Sequence, residues 1–176
     1  MSLPSIPIPT HFRTFNFIVY HGYSQNALKD YQGETIPSIG VLNKFFCPVH
    51  KRTEYLYGTD IDYPIASLKD LEKANECIVT KTKYGNHIIC NKHITNMCQA
   101  IYLTKELTIK YNGDEKWYQI GIKQGYFVWR IYGKYADNPY VRVIKPSNDY
   151  VLLLLQQLYD IHPAESILRK LKAIAT

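Results

Sequence analysis

Two short runs carry residue types that can do chemistry together. Cys47-Pro-Val-His50 and Cys90-Asn-Lys-His93 share one spacing, C-x-x-H. Two residues between ligands let a tight turn aim both side chains at one point. Thiolate sulfur and neutral imidazole nitrogen together suit tetrahedral Zn²⁺. Cys47, His50, Cys90 and His93 would then supply four ligands, which closes the coordination shell and implies a structural role. Pro48 stiffens the first turn. The plain alternative is four unrelated residues, because cysteine is often simply buried and histidine is common in turns. Cys77 and Cys98 remain. Their plain reading is small buried hydrophobes, and their sharper one is a replacement ligand or a reactive thiol. His87, three residues before Cys90, is a further stand-in for His50 or His93.

A second pattern mixes rings and cations. Along residues 126–132, Tyr126, Val128, Arg130 and Tyr132 alternate with Phe127, Trp129 and Ile131. The second set reads as core. The first resembles a nucleic-acid-binding sheet face, where rings stack on bases and cations meet phosphates. Lys116, Tyr118, Lys123, Lys134 and Arg142 fall on neighbouring segments and complete the candidate surface. Cross-strand Tyr–Arg pairs also stabilise ordinary sheets, so the pattern is unspecific.

Enzymatic signals are thin. Asp60 and Asp62, with Glu54, form a set that suits metal-dependent phosphodiester chemistry, and equally a solvated turn beside Pro64. His21-Gly22-Tyr23-Ser24 has no G-x-S-x-G partner motif. There is no P-loop and no dinucleotide fingerprint.

The elements that must position these residues follow from pattern. Residues 1–10, with Pro4, Pro7 and Pro9, form an extended arm. Residues 15–20 read as a strand, 24–31 as a short helix and 33–40 as a loop. A hairpin spans 41–57. Ser67 caps a helix over 68–73. Residues 77–83 form a strand, 84–86 a turn and 94–103 a helix. An antiparallel meander follows, with strands at 107–111, 117–123, 126–132 and 140–144, turning first at Asn112–Gly113. Asn148 or Asp149 caps a helix over 150–159. Pro163 opens a last amphipathic helix to residue 173.

Cys90 and His93 then sit at the start of a helix, while Cys47 and His50 sit in a hairpin knuckle. In this, residues 45–103 resemble a treble-clef-type zinc finger at the level of the class. The resemblance implies a structural zinc ion. Its members bind nucleic acids or proteins or act as nucleases, so it leaves the function open.

Composition bounds the rest. The chain has 176 residues, 46% of them hydrophobic and 20% charged, with a net charge of +6. That is enough for one domain with an ordered core. The mild positive charge is compatible with nucleic acid. The 16 tyrosines suit half-buried sheet faces and binding surfaces. No run approaches a membrane span, and the first residues lack a secretory pattern. Thiols or metal ligands are therefore expected rather than disulfides, in an intracellular protein.

The expected architecture is α+β. A zinc-stapled N-terminal half (module 45–103 of a single domain 11–176) packs on the four-stranded meander of 104–146, with C-terminal helices over 148–176. The expected function is zinc-stabilised binding of single-stranded RNA or DNA, as in viral or regulatory factors. A protein-interaction or self-assembly module is the alternative, and a small metal-dependent nuclease or hydrolase a third.

Overall fold

The computed structural model describes residues 11–14, 16–22, 32–65 and 67–160. Eight strands, β1 (His11–Thr14), β2 (Phe17–Gly22), β3 (Thr35–Cys47), β4 (Arg52–Ile61), β5 (Cys77–Lys81), β6 (Asn86–Ile94), β7 (Val128–Tyr135) and β8 (Arg142–Lys145), form one sheet. Its order is β1-β2-β3-β4-β6-β5-β8, with β7 attached to β3. Four helices accompany it: α1 (Lys69–Glu72), α2 (Met97–Lys110), α3 (Glu115–Gln124) and α4 (Tyr150–Asp160). The class is α+β, as expected. No helix among the described residues is long and apolar enough to cross a membrane.

Strand β3 decides the layout. On one edge its first part, from Thr35 to Leu42, pairs with β7, and its last part, from Lys44 to Cys47, pairs with β4. The sheet therefore forks at Asn43, which is fully buried. A change of partner leaves backbone groups without a ladder bond, and a buried unpaired group is costly. Asn43 supplies the missing bonds. Its amide nitrogen donates to the Leu56 carbonyl (3.2 Å), and its side-chain oxygen accepts from the Phe127 N–H (3.0 Å). The Trp129 indole donates across the same fork to the Thr59 carbonyl at 3.3 Å.

Apolar residues fill both sides of this frame. Phe17, Val41, Phe45, Phe127, Trp129, Leu152 and Leu155 form one cluster. Tyr57, Ile61, Leu71, Val79, Ile88 and Ala100 form another, beneath α1 and α2. Phe127, Trp129 and Ile131 are buried, as their alternation along residues 126–132 predicts.

The expected meander does not form: its first two strands are helical, and its last two, β7 and β8, pair with β3 and β5 and meet only in one isolated bridge, Tyr132–Tyr140. Residues 107–111 end α2, and 117–123 form α3. Asn112–Gly113 ends a helix instead of turning a hairpin: Asn112 adopts φ 50°, and the Gly113 N–H donates to the Thr108 carbonyl at 2.7 Å. Both structures recruit the same residue pair, because both need a left-handed backbone. Asp114 then caps α3, its carboxylate accepting from the Lys116 and Trp117 N–H groups at 2.9 and 3.1 Å. Small polar residues disguise the buried face of α2. Thr104 accepts from the Gly58 N–H at 3.2 Å, and Thr108 meets Thr59 at 2.8 Å.

The loop expected at 33–40 is largely strand. Pro37 and Ser38 lie where two β3 residues oppose the single Gly133 of β7, a bulge that tolerates proline. The helix start expected at residue 94 moves to Met97, with Asn96 as its cap. Asp149 caps α4, accepting from the Leu152 N–H at 3.0 Å. The expected arm, the helix at 24–31 and the last helix from Pro163 lie outside the described residues.

Replacing Asn43 with Ala should cost about 2–4 kcal/mol, because it strands two buried backbone groups and leaves a void. Urea denaturation of both proteins measures it. A cost below about 0.5 kcal/mol would mean that the fork does not depend on this side chain.

Candidate metal centre

The β3–β4 hairpin brings the first set of candidate ligands together. Cys47 ends β3 and is fully buried, and the turn at residues 48–51 returns the chain with Lys51 at φ 52°. The His50 N–H donates to the Cys47 sulfur (3.4 Å), so the turn folds back on its own ligand. The knuckle expected for Cys47 and His50 is present: Sγ and His50 Nδ1 are 3.9 Å apart.

The second pair divides. Cys90 and His93 lie on β6, not at a helix start. Cys90 forms a disulfide with Cys77 across β5 and β6. The two face each other at a position without mutual ladder bonds, where antiparallel chains come closest; their Cα atoms are 4.0 Å apart. Cys90 is thus removed from the ligand set, and the expectation that these cysteines are thiols or ligands is corrected. Cys77 is buried as expected, but Cys98 is an exposed thiol at the start of α2.

His93 does reach the site. Between the pairs Tyr57–Cys90 and Tyr55–Ile94, β6 carries Asn91, Lys92 and His93 opposite the single Leu56. This bulge swings His93 out of the ladder at φ 52°, a backbone that non-glycine residues rarely hold. Asn91 steadies it by accepting the His93 N–H at 3.1 Å and donating to Asp149 at 3.1 Å. His93 Nδ1 lies 3.8 Å from Cys47 Sγ.

Glu54 takes the place expected for Cys90. Its carboxylate is fully buried and receives His50 Nδ1 at 2.9 Å, His93 Nδ1 at 2.8 Å and Arg52 Nε at 2.8 Å. The ligand atoms of Cys47, His50, Glu54 and His93 all lie within 4.8 Å of one another, and the group can hold a metal ion. Glu54 was readable in part. A hairpin closed at residues 48–51 puts positions 47, 52 and 54 on one face, and a buried carboxylate there needs a reason.

The geometry argues against a Cys–His–Glu catalytic relay. A relay uses opposite ring nitrogens, one toward the nucleophile and the other toward the acid. Here His50 and His93 each present the same atom, Nδ1, to both Cys47 and Glu54. Burial also pushes the Cys47 thiol up, against bonds from the His50 and Val49 backbone that pull it down. A metal-free thiol in that state is a poor nucleophile.

The other candidates are dispersed. His87 lies on β6 with Nε2 3.3 Å from Asp60, away from the Cys–His group. Asp60 and Asp62 gather with Asp114, not with Glu54. Of the eight residues expected on one nucleic-acid-binding sheet face, Tyr118 is buried and stacks on Phe127. Lys116 and Lys123 are exposed on α3, and Arg142 is exposed on β8. Tyr132 packs edge-on to Tyr140. Tyr126, Arg130 and Lys134 line a cavity at the fork instead of an open platform. Compared with family models, curated proteins and solved structures, the chain matches none.

Burial pushes the Glu54 carboxyl up, but bonds from Arg52, His93 and His50 outweigh it and hold the carboxyl at about 2, below its ordinary 4.5. A carboxylate depressed in this way stabilises the fold above its unfolded value, and that contribution is lost as pH falls through the folded one. Metal-free protein should therefore lose stability between about pH 4.5 and 2. Circular dichroism during acid titration should show a shallower loss across that window for Glu54→Gln. An unchanged slope would contradict the assignment.

Proposed function

We propose that Cys47, His50, Glu54 and His93 hold one structural zinc ion, and that the chain is a binding factor for single-stranded nucleic acid rather than an enzyme. The observation that carries the first half is the convergence of one sulfur, two Nδ1 atoms and one carboxylate on a common point. This donor set, borderline in softness, suits zinc better than calcium or magnesium, which prefer oxygen. The sulfur–nitrogen separations of 3.8 and 3.9 Å lie near the edge of a zinc tetrahedron, about 3.5 Å for ordinary bond lengths. Four protein ligands fill that tetrahedron and leave no position for substrate or water, which favours a staple. Arg52, bonded to Glu54, orients the carboxylate from the outer layer.

The nucleic-acid half rests on Tyr126, Arg130 and Lys134 lining one cavity beside α3, whose Lys116 and Lys123 are exposed. Rings together with cations are the means by which proteins hold bases and phosphates. The net charge of +6 is of the right sign.

Elemental mass spectrometry of purified protein should find one zinc per chain. Cys47→Ser and His93→Ala should lose it and melt several degrees lower, whereas Cys90→Ser should keep it. Metal-free wild type, or a Cys90→Ser variant that alone loses the ion, would overturn the ligand assignment. A fluorescent single-stranded oligonucleotide should bind with an affinity that falls steeply as salt rises. No binding at low salt would reject the nucleic-acid half and leave the zinc half standing.

A further inference from the structure

Beside the fork between β4 and β7 lies a half-open cavity of about 300 Å³. Its walls differ in chemistry. Arg130 and Lys134 enter from β7, Asp60 and Asp62 from the end of β4, and Trp117 with Tyr126 from α3 and the segment after it.

The cations are short of protein partners. Arg130 donates one bond, to the Gly133 carbonyl at 2.9 Å, and its guanidinium lies 5.4 Å from the Tyr135 ring centre. Lys134 lies 5.2 Å from the same ring. Among the described residues neither touches a carboxylate directly; Asp60 acts on Arg130, and Asp60, Asp62 and Asp114 on Lys134, only at a distance, and burial outweighs that attraction and pulls both cations below their ordinary pKa. A half-buried cation left this way is stabilised by an entering anion, and Arg presents the fork that suits phosphate.

The backbone is shaped to place them. Lys134 is held at φ 69°, and irregularities in the β3–β7 register fall on both sides of Tyr132, between Arg130 and Lys134. Bulges and left-handed residues collect where a side chain must be re-aimed toward a ligand.

The opposite wall rejects a bare anion. Asp60 and Asp62 can accept hydrogen bonds from hydroxyl or amino groups of a ligand; Asp62 is pushed up to about 6 by burial and by Asp60 and Asp114. The occupant must therefore carry an anion at one end and donors at the other. Between them Trp117, stacked on Phe127 at 5.1 Å, and Tyr126 offer a wall for a flat ring. The volume suits one nucleotide.

We propose that this cavity binds a single phosphorylated nucleotide unit, with its phosphate on Arg130 and Lys134, its donors on Asp60 and Asp62, and its ring against Trp117 and Tyr126. The unit is either a free mononucleotide or the 5′-phosphorylated end of a strand. The inference rests on the nucleic-acid-binding reading for its ligand class and is independent of the zinc ion.

The test is calorimetric titration with adenosine and uridine 5′-monophosphates, the unphosphorylated nucleosides, inorganic phosphate, and one short oligonucleotide with and without a 5′-phosphate. Binding of a monophosphate would identify the free source, and binding of only the 5′-phosphorylated oligonucleotide the strand end. In either case nucleosides and inorganic phosphate should bind at least about tenfold more weakly, because each lacks half of the contacts. Lys134→Gln and Arg130→Gln should each weaken binding about tenfold, with zinc content and melting temperature unchanged. No binding of either phosphorylated ligand by folded protein would overturn the proposal. So would binding indifferent to both substitutions. An oligonucleotide that binds regardless of its 5′-phosphate and of both variants would reject this cavity while leaving the nucleic-acid reading intact.

Discussion

A strand edge can serve only one neighbour at a time, and β3 serves two along the same edge. The side chain of Asn43 makes this possible by completing the bonds of Leu56 on one branch and Phe127 on the other. Both candidate sites are placed by the resulting fork. Toward one end, β3 and β4 stay paired and form the hairpin that holds Cys47, His50 and Glu54. Toward the other, β4 leaves to pair with β6, β7 takes its place, and the gap between them is the cavity with Arg130 and Lys134. An apolar residue at position 43 would fill the space and satisfy neither branch.

The candidate metal site shows how a fold rearranges a motif. Glu54 is buried, yet it stays ionised because three donors surround it. Burial of a charge is tolerable only with such partners. The same arrangement pre-orients His50 and His93, so little reorganisation separates the hydrogen-bonded cluster from a coordinated one. Preorganisation of this kind is what a metal site requires.

Part of this was legible in the sequence. The core face of β7, the hairpin around Cys47, the strand at Cys77 and the helix capped by Asp149 follow from alternation and capping, which are local. The α2–α3 pair was not legible. Its helical face is written in Ala100, Thr104 and Thr108, whose burial depends on β4 lying opposite, and Asn112–Gly113 serves a hairpin and a helix end equally well. Cys90 was misread for a related reason. Spacing says which residues are near in the chain, whereas strand pairing decides which face each occupies, and Cys90 faces Cys77.

The repeated C-x-x-H spacing therefore arises from two unlike constraints. In the first copy the interval is the span of a turn. In the second it is the length of chain between two anchors that pull on β6 from opposite sides: the covalent link to β5 at Cys90, and the cluster on the β3–β4 hairpin at His93. Asn91 and Lys92 act as a measured tether. Lys92 could vary widely, whereas Asn91 is held to its type by its bonds to His93 and Asp149, and a one-residue deletion would force the strand to give up one anchor. Length is constrained here more strictly than the residue type at position 92.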